Sequence, residues 1–315
     1  MSENLKPKIL LTGGTGMVGK NFLENNNSKL FDITAPTRKE LDLTDFEKIN
    51  KFLYLKKPDF IIHAAEKVGG IQANIRDPLL FLTENLDMGK NLILAAKNQC
   101  IKKLINLSSS CVYPKNVKVK LKEESILTAP LEPTNECYAL AKILVQKLCQ
   151  YINKSSSKYN YKTIVPCNLF GRYDDFSLSS GHLLPNIIHK IHNAKLNKIN
   201  NVKVWGDGSA RREFMYVKDF VDFLYYSINN FDEMPEVINV GVGKDYSVLD
   251  YYKIVAKNLG WRGSFEFDMS KPVGQKQKLV SIEKLKKFGW KNKTSIENAT
   301  IETIKFYLES NENGI

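Results

Sequence analysis

Lys8-Ile-Leu-Leu-Thr12 runs directly into Gly13-Gly-Thr-Gly-Met-Val-Gly19, and this stretch decides the fold. The short apolar run reads as a strand, the glycines at 13, 16 and 19 as a tight turn, and residues 21–24 as the continuation of a helix. Glycine permits a sharp turn and lets backbone N–H groups and a helix N-terminus approach a pyrophosphate closely. The spacing T-G-x-x-G-x-x-G therefore predicts a dinucleotide-binding turn built from Gly13, Gly16, Met17, Val18 and Gly19. Standing alone, the same residues would also suit a plain glycine turn.

Outward from that turn, Phe31-Asp-Ile-Thr-Ala-Pro36 reads as a second strand, followed by Thr37, Arg38 and Lys39. A carboxylate at the end of this strand would hold a ribose 2′-hydroxyl. Arg38 and Lys39 would instead attract a 2′-phosphate, which predicts NADP over NAD. Asp42 is placed to meet the adenine or to cap the following helix. Strand and helix then keep alternating. Residues 59–65, 102–109 and 161–166 read as strands, and 78–99 and 135–151 as long helices. This pattern predicts an α/β fold, a Rossmann-type doubly wound parallel sheet. Beyond Gly171 the pattern turns irregular through Ser180. A helix over 182–193, the short strand Val202-Lys-Val-Trp205 and a mostly helical tail from Ser247 suit a smaller α/β substrate-binding lobe. The expected division gives residues 1–170, with about 213–245, to the cofactor domain, and 171–212 with 246–315 to the lobe.

Composition excludes several classes. With 43% hydrophobic and 25% charged residues in 315, the chain matches an ordinary globular protein. Residues 1–8 lack the apolar core of a signal peptide, and no apolar run approaches the ~20 residues of a membrane span. A cytoplasmic address without a membrane partner is expected. The five cysteines, Cys100, Cys111, Cys137, Cys149 and Cys167, are scattered and lack C-x-x-C spacing, so neither a metal site nor a disulfide framework is expected. The formal charge of +12 suits an anionic partner. The lysines are dispersed, with no basic run interleaved with aromatics, so the expected anion is a phosphorylated small molecule and not a nucleic acid.

Tyr138-Ala-Leu-Ala-Lys142 places a phenol and an ammonium one helical turn apart, on one face. An ammonium beside a phenol favours the phenolate and so prepares the tyrosine for proton transfer. Leu107-Ser-Ser-Ser-Cys-Val-Tyr-Pro114 supplies hydroxyls at a strand end, where a carbonyl oxygen could be held, and a thiol two residues later. On their own the pair also suits a solvated helix face, Cys111 a small core residue and His182 a helix cap.

The glycine motif, His63-Ala-Ala65, the strand-end serine and Tyr-x-x-x-Lys together resemble the extended short-chain dehydrogenase/reductase family. Lys67-Val-Gly-Gly-Ile-Gln-Ala-Asn74, Ser109-Ser-Cys-Val-Tyr-Pro114, Leu131-Glu-Pro-Thr-Asn-Glu-Cys-Tyr-Ala-Leu-Ala-Lys142, His182-Leu-Leu-Pro185 and Val204-Trp-Gly-Asp-Gly208 resemble its GDP-L-fucose synthase branch, across nearly the whole chain. The resemblance implies a GDP-4-keto-sugar substrate, NADPH, C4 reduction and C3/C5 epimerisation. Ser109 and Tyr138 would polarise the ketone, with Tyr138 donating the proton and Lys142 holding the ribose. Cys111 and His182 would be the epimerisation pair, as thiolate and imidazolium near neutrality. Ala64 and Ala65 would flank the cofactor. Asn168, Trp205 and Arg212 would lie near the sugar and diphosphate, with Lys190 and Lys278 as further substrate contacts; Trp205 could equally be lobe core and Lys278 a surface lysine. Helices 78–99 and 135–151 would pair in a homodimer.

Four positions depart from the branch pattern. Lys190 stands for an arginine, Gly171-Arg172 for Gly-Pro and Ser281 for an aspartate, while Glu66 takes a small-residue position beside the cofactor path, where a carboxylate could repel phosphate or alter loop packing. These substrate-side changes keep a second reading open: a reductase acting on another GDP-4-keto sugar, such as a heptose, without epimerisation. A third is an NADP-binding scaffold or redox sensor without catalysis, against which the joint presence of Ser109, Tyr138 and Lys142 argues.

Overall fold

The computed structural model describes residues 6–115, 120–270 and 275–312. Residues 1–5, part of the stretch 1–8 in which no signal peptide is expected, lie outside them. In chain order, β1 (Lys8–Thr12), α1 (Met17–Glu24) and β2 (Asp32–Thr34) precede α2 (Phe46–Lys56), β3 (Phe60–His63), α3 (Ile71–Arg76), α4 (Pro78–Asn98) and β4 (Lys103–Leu107). Then come α5 (Glu136–Ser155), β5 (Asn160–Pro166), β6 (Asn168–Phe170), α6 (Leu183–Leu196), β7 (Asn201–Trp205), β8 (Arg211–Arg212), β9 (Phe214–Tyr216) and α7 (Val217–Asn229). The last elements are β10 (Val237–Val240), β11 (Tyr246–Ser247), α8 (Val248–Leu259), β12 (Ser264–Asp268), β13 (Gln277–Lys278), α9 (Glu283–Lys287) and α10 (Ile296–Glu312).

Six parallel strands form the main sheet in the order β10-β5-β4-β3-β1-β2. Successive strand residues face opposite sides, and both sides are apolar here, as a sheet covered on both faces requires. Ile9 and Leu11 of β1, Phe60 and Ile62 of β3, and Ile105 and Leu107 of β4 share a core with Phe220, Phe223 and Leu224 of α7. The intervening Leu10, Ile61 and Leu104 share another with Ile49 and Leu53 of α2, Leu92 and Ala96 of α4, and Val145 of α5. Burying each such aliphatic chain contributes on the order of 2 kcal/mol. This is the doubly wound sheet expected from the sequence.

From β1 the chain steps outward to β2 and then crosses back to β3. The strand order reverses there, and at such a reversal the crevice at the strands' C-terminal ends takes ligands. Gly13 opens that crevice with φ +75°, and a Cβ there would lie 2.6 Å from the Ala64 backbone.

A third core, around Ile187, Ile188 and Ile191 of α6, Val202 and Val204 of β7, and Tyr251 and Val255 of α8, belongs to the smaller sheets. β12 pairs in parallel with β7, and β8 lies between β11 and β13. The sequence reading of a mostly helical tail missed these strands. β11 and β13 have two residues each and exist only through tertiary pairing, which leaves no local signal. α8 is the helix whose ends are written most plainly: Ser247 and Asp250 form a capping box, and Gly260 ends it in the left-handed conformation. Beyond β13 the chain returns to the main sheet, where Val280, Leu285 and Trp290 join the core and Val280 bridges Leu121. Among the described residues, no helix is long and apolar enough to cross a membrane.

Candidate active site

A groove of about 410 Å³ opens at the reversal point, lined by Gly13, Gly16, Arg38, Asp42, Ala64, Ala65, Glu66, Lys67 and Glu84 among others. Gly16 precedes α1 without a side-chain cap, and the first turn carries no acidic residue. The leading N–H groups, those of Met17 and Val18 included, have no carbonyl partner within the helix, which suits an anion. The side chains of Met17 and Val18 pack instead against the cores. Gly19 serves packing: a Cβ there would lie 2.2 Å from the Gly13 carbonyl oxygen. Arg38 projects from the groove rim, its side chain 68% exposed and 3.6 Å from Glu84. Asp42 accepts from the backbone N–H and hydroxyl of Thr44, while the cap of α2 is Asp45, so the capping alternative for Asp42 is set aside. His63 is pinned to the Thr12 hydroxyl at 2.9 Å, and burial, with Lys142 second, pushes it down to about 3. It stands neutral, and the Thr12 hydroxyl oxygen that it meets also accepts the Ala65 N–H at 3.3 Å. This cradle of glycines, free N–H groups and an exposed arginine fits a dinucleotide bearing a 2′-phosphate.

At the dyad the structure corrects the sequence reading. Tyr138 and Lys142 share the buried face of α5, as their spacing predicts. Lys142 nevertheless meets Glu66, not the phenol: its Nζ lies 2.8 Å from Glu66 Oε2, and the Tyr138 hydroxyl donates to the same oxygen at 2.8 Å. Burial first, and the Glu66 charge next, raise the Tyr138 phenol well above its ordinary value, with a hydrogen bond from Ser109 opposing. The expected phenolate is not favoured; Tyr138 stands protonated, the form a proton donor needs. Glu66, expected to repel phosphate or alter loop packing, turns toward Lys142. Glu84, which lines the groove along with Asp42 and Glu66, faces Arg38 and Lys67.

Cys111 packs beside Tyr138, Phe81 and Ala73. Its sulfur accepts from Asn135 Nδ2 at 3.2 Å and Lys278 Nζ at 3.4 Å. Ser109 accepts the Cys111 N–H at 3.3 Å and so shapes the short helical turn that presents the thiol. β13 pairs with β8 so that Lys278 lies opposite Arg212, which brings both toward Cys111. The Arg212 guanidinium donates to the carbonyls of Arg211 and Gln275 at 2.8 and 2.6 Å.

His182 stands at the N-cap of α6 without a side-chain cap bond. Burial lowers its pKa although the Glu66 and Asp175 charges pull upward. It is neutral near neutrality, so the expected thiolate–imidazolium pair is not the resting form. Farther out, Lys190 lies 5.4 Å from the Trp205 ring centre and 3.5 Å from the Tyr252 hydroxyl, and burial lowers its pKa. Trp205 is 44% exposed on β7, which places it at the lobe surface. Asn168 donates to the Glu213 carbonyl at 2.8 Å. The buried Glu213 carboxylate accepts from Val242, Gly243 and Val280 N–H groups, and burial pushes it up to about 7. Arg172, unexpected after Gly171, ties the lobe to α1: it pairs with Glu24 at 3.2 Å, and its carbonyl accepts from Asn21.

Three residues escaped the sequence reading. Asn135 lies within the quoted Leu131–Lys142 block, but nothing in that block says that its amide reaches Cys111. Glu213 and Asp175 carry no motif at all.

The profile of the NAD dependent epimerase/dehydratase family matches residues 9–241. A GDP-L-colitose synthase of Yersinia pseudotuberculosis is 51% identical over 306 residues, covering 97% of this chain and 99% of that protein. A GDP-L-fucose synthase of Azorhizobium caulinodans is 44% identical over 305 residues, covering 97% of each. Among solved structures, MlghC, a GDP-mannoheptose C4 reductase from Campylobacter jejuni with NADP bound, superposes with a TM-score of 0.86 at 29% identity, covering 96% of this chain and 98% of that one.

Proposed function

Because the chain belongs to the NAD dependent epimerase/dehydratase family, in its GDP-L-fucose/colitose synthase branch, we propose that it reduces the C4 ketone of a GDP-4-keto sugar with NADPH and epimerises the carbons beside that ketone. It is an enzyme of the oxidoreductase class, with NADP as cofactor. The observation that carries the proposal is the meeting of Tyr138, Ser109 and Cys111 beside a glycine-lined groove that ends at Arg38.

The cofactor supplies the hydride when bound. Gly13, Gly16 and the start of α1 would hold its diphosphate, Arg38 its 2′-phosphate, and Lys142 its ribose. Ser109 and Tyr138 hold the sugar's C4 oxygen, and Tyr138 releases its proton to that oxygen. Polarising the ketone also acidifies the C–H bonds at C3 and C5, because the resulting enolate is stabilised. Cys111, as a thiolate with Asn135 and Lys278 donating to its sulfur, takes such a proton, and His182, once it has taken up a proton from solvent, returns one to the opposite face. Lys278 thereby belongs to the epimerisation half and not to the nucleotide. Trp205, Lys190, Asn168 and Arg212 contact the rest of the substrate.

The greater identity to a colitose synthase than to a fucose synthase favours a sugar other than that of the fucose enzymes, and the likeness to a heptose C4 reductase supports reduction without epimerisation as a second reading. Incubation with NADPH and GDP-4-keto-6-deoxymannose or its heptose counterpart in deuterated water separates them. Deuterium on carbons next to C4 supports epimerisation. Reduction without label leaves a reductase alone, and no turnover of either sugar, nor of the GDP-4-keto sugar that the colitose synthase reduces, sinks the proposal.

The same proposal gives residues 1–170 and about 213–245 to the cofactor and 171–212 with 246–315 to the sugar, except that the segment of Val280, Leu285 and Trp290 packs into the main-sheet core and goes with the cofactor part, in a cytoplasmic homodimer joined along α4 and α5. Leu144 and Tyr151, 49% and 64% exposed, lie two turns apart on one side of α5, as such an interface needs.

A further inference from the structure

Glu66 stands between the groove and the dyad. It lines the groove beside Ala65 and Lys67, and its Oε2 accepts from both Tyr138 and Lys142. The donors are sealed, Tyr138 being 7% and Lys142 4% exposed, whereas the Glu66 side chain is 28% exposed. A buried phenol that gives up a proton in every turnover must regain one from water through a neighbour that can carry it.

We infer that Glu66 is a positioning residue for Tyr138 that relays a proton from solvent back to the phenol after each reduction. The inference rests on the reading of Tyr138 as proton donor. Once Tyr138 has released its proton, a phenolate faces the Glu66 carboxylate, and two adjacent anions raise the proton affinity of the pair. Glu66 takes a proton from solvent and passes it on. The carboxylic O–H bond breaks as the phenolic O–H forms, which restores the carboxylate and the phenol with no redox change.

The surroundings hold Glu66 to this task. Asn85 of α4 clamps the next residue from both sides: its Oδ1 accepts the Lys67 N–H at 2.8 Å, and its Nδ2 donates to the Lys67 carbonyl at 3.1 Å. The same amide reaches the Phe81 carbonyl, and the Phe81 ring packs edge-on to Tyr138 at 6.4 Å. One helix thus fixes the relay and the phenol together. Lys67 pairs with Glu84 at 3.9 Å, which directs its charge away from Glu66. The remaining titratable neighbours are Cys111, His182 at the start of α6 and His63 on β3, both histidines being neutral near pH 7.

The test is stopped-flow NADPH oxidation with the GDP-4-keto sugar that the wild-type enzyme reduces. Glu66→Gln keeps the shape and an acceptor oxygen but carries no proton. Its first turnover is expected to proceed, with later turnovers slowed ~10-fold or more, giving a burst that the wild type lacks. Glu66→Asp should restore part of the steady rate, and added acetate should speed Glu66→Ala in proportion to its acid form. Wild-type turnover in Glu66→Gln from pH 6 to 9, or equal slowing of first and later turnovers without an acetate response, overturns the relay. Tyr138→Phe separates the two levels. If that enzyme still turns over, the donor reading falls; if it is dead while Glu66→Gln shows no burst, only the relay falls.

Discussion

Glu213 offers a quantity that stability measurements can check. Its side chain is fully enclosed: burial, and to a smaller extent the Asp245 charge, raise its proton affinity and three backbone N–H donors lower it, with burial winning. The displacement from 4.5 to about 7, at ~1.4 kcal/mol per pH unit, amounts to ~3 kcal/mol. The folded-state value lies above the unfolded one, so this stabilisation is complete below about pH 4.5 and is lost as pH rises through about 7. Glu213→Gln removes the titration. Its carbonyl can still serve the Val242 and Gly243 N–H groups, whereas its amide nitrogen cannot accept the Val280 N–H, a loss that does not depend on pH. Between pH 5 and pH 8 the wild type should therefore lose ~2–3 kcal/mol relative to the variant, whatever gap separates them at pH 5. Urea unfolding of both proteins at the two pH values reads this difference directly. A constant gap would mean that the three N–H donors offset burial, and a wild type that gains on the variant as pH rises would mean that they outweigh it.

Arg38→Ala should raise the KM for NADPH ~10-fold or more, from the ~1.5–3 kcal/mol of a charge-assisted contact, and leave NADH kinetics nearly unchanged; a parallel change for both cofactors would place Arg38 outside 2′-phosphate recognition. Lys278→Met should slow deuterium exchange into the sugar ~10-fold or more when NADP⁺ replaces NADPH, because the charge beside the Cys111 sulfur is gone. Exchange at the wild-type rate would return Lys278 to the nucleotide side. Leu144→Glu should convert a dimer to a monomer at micromolar concentration in light scattering, since a charge would enter an apolar contact; a wild type that is already monomeric removes the interface altogether.

The sheet was legible because its signals are local. Apolar runs at Ile9–Leu11 and Phe60–Ile62 are buried on both faces, and the glycine turn sets the entry to α1. The lobe was less so: β12 carries Phe265 and Phe267 in strand alternation, but its partner β7 lies some sixty residues away. At the site, motif spacing brought Tyr138 and Lys142 to one face, yet it could not show what their charges meet. That depends on Glu66, 72 residues before Tyr138, and on the clamp that Asn85 places on its neighbour. The phenolate and imidazolium expectations failed for a related reason. Ordinary pKa values describe groups in water, and Tyr138 and His182 are enclosed.

β10 joins β5 only after the chain has built the whole of α6 through α7. During synthesis at ~5–20 residues per second, β5 therefore waits several seconds with one edge unpaired. The edge that carries Thr163 to Pro166 has no partner strand until Val237–Val240 emerges. The nascent chain is exposed to edge-to-edge association over that interval, and a fragment ending near residue 170 would keep the hazard permanently. Expression of the cofactor-binding part by itself should yield aggregates, where the full chain yields soluble protein.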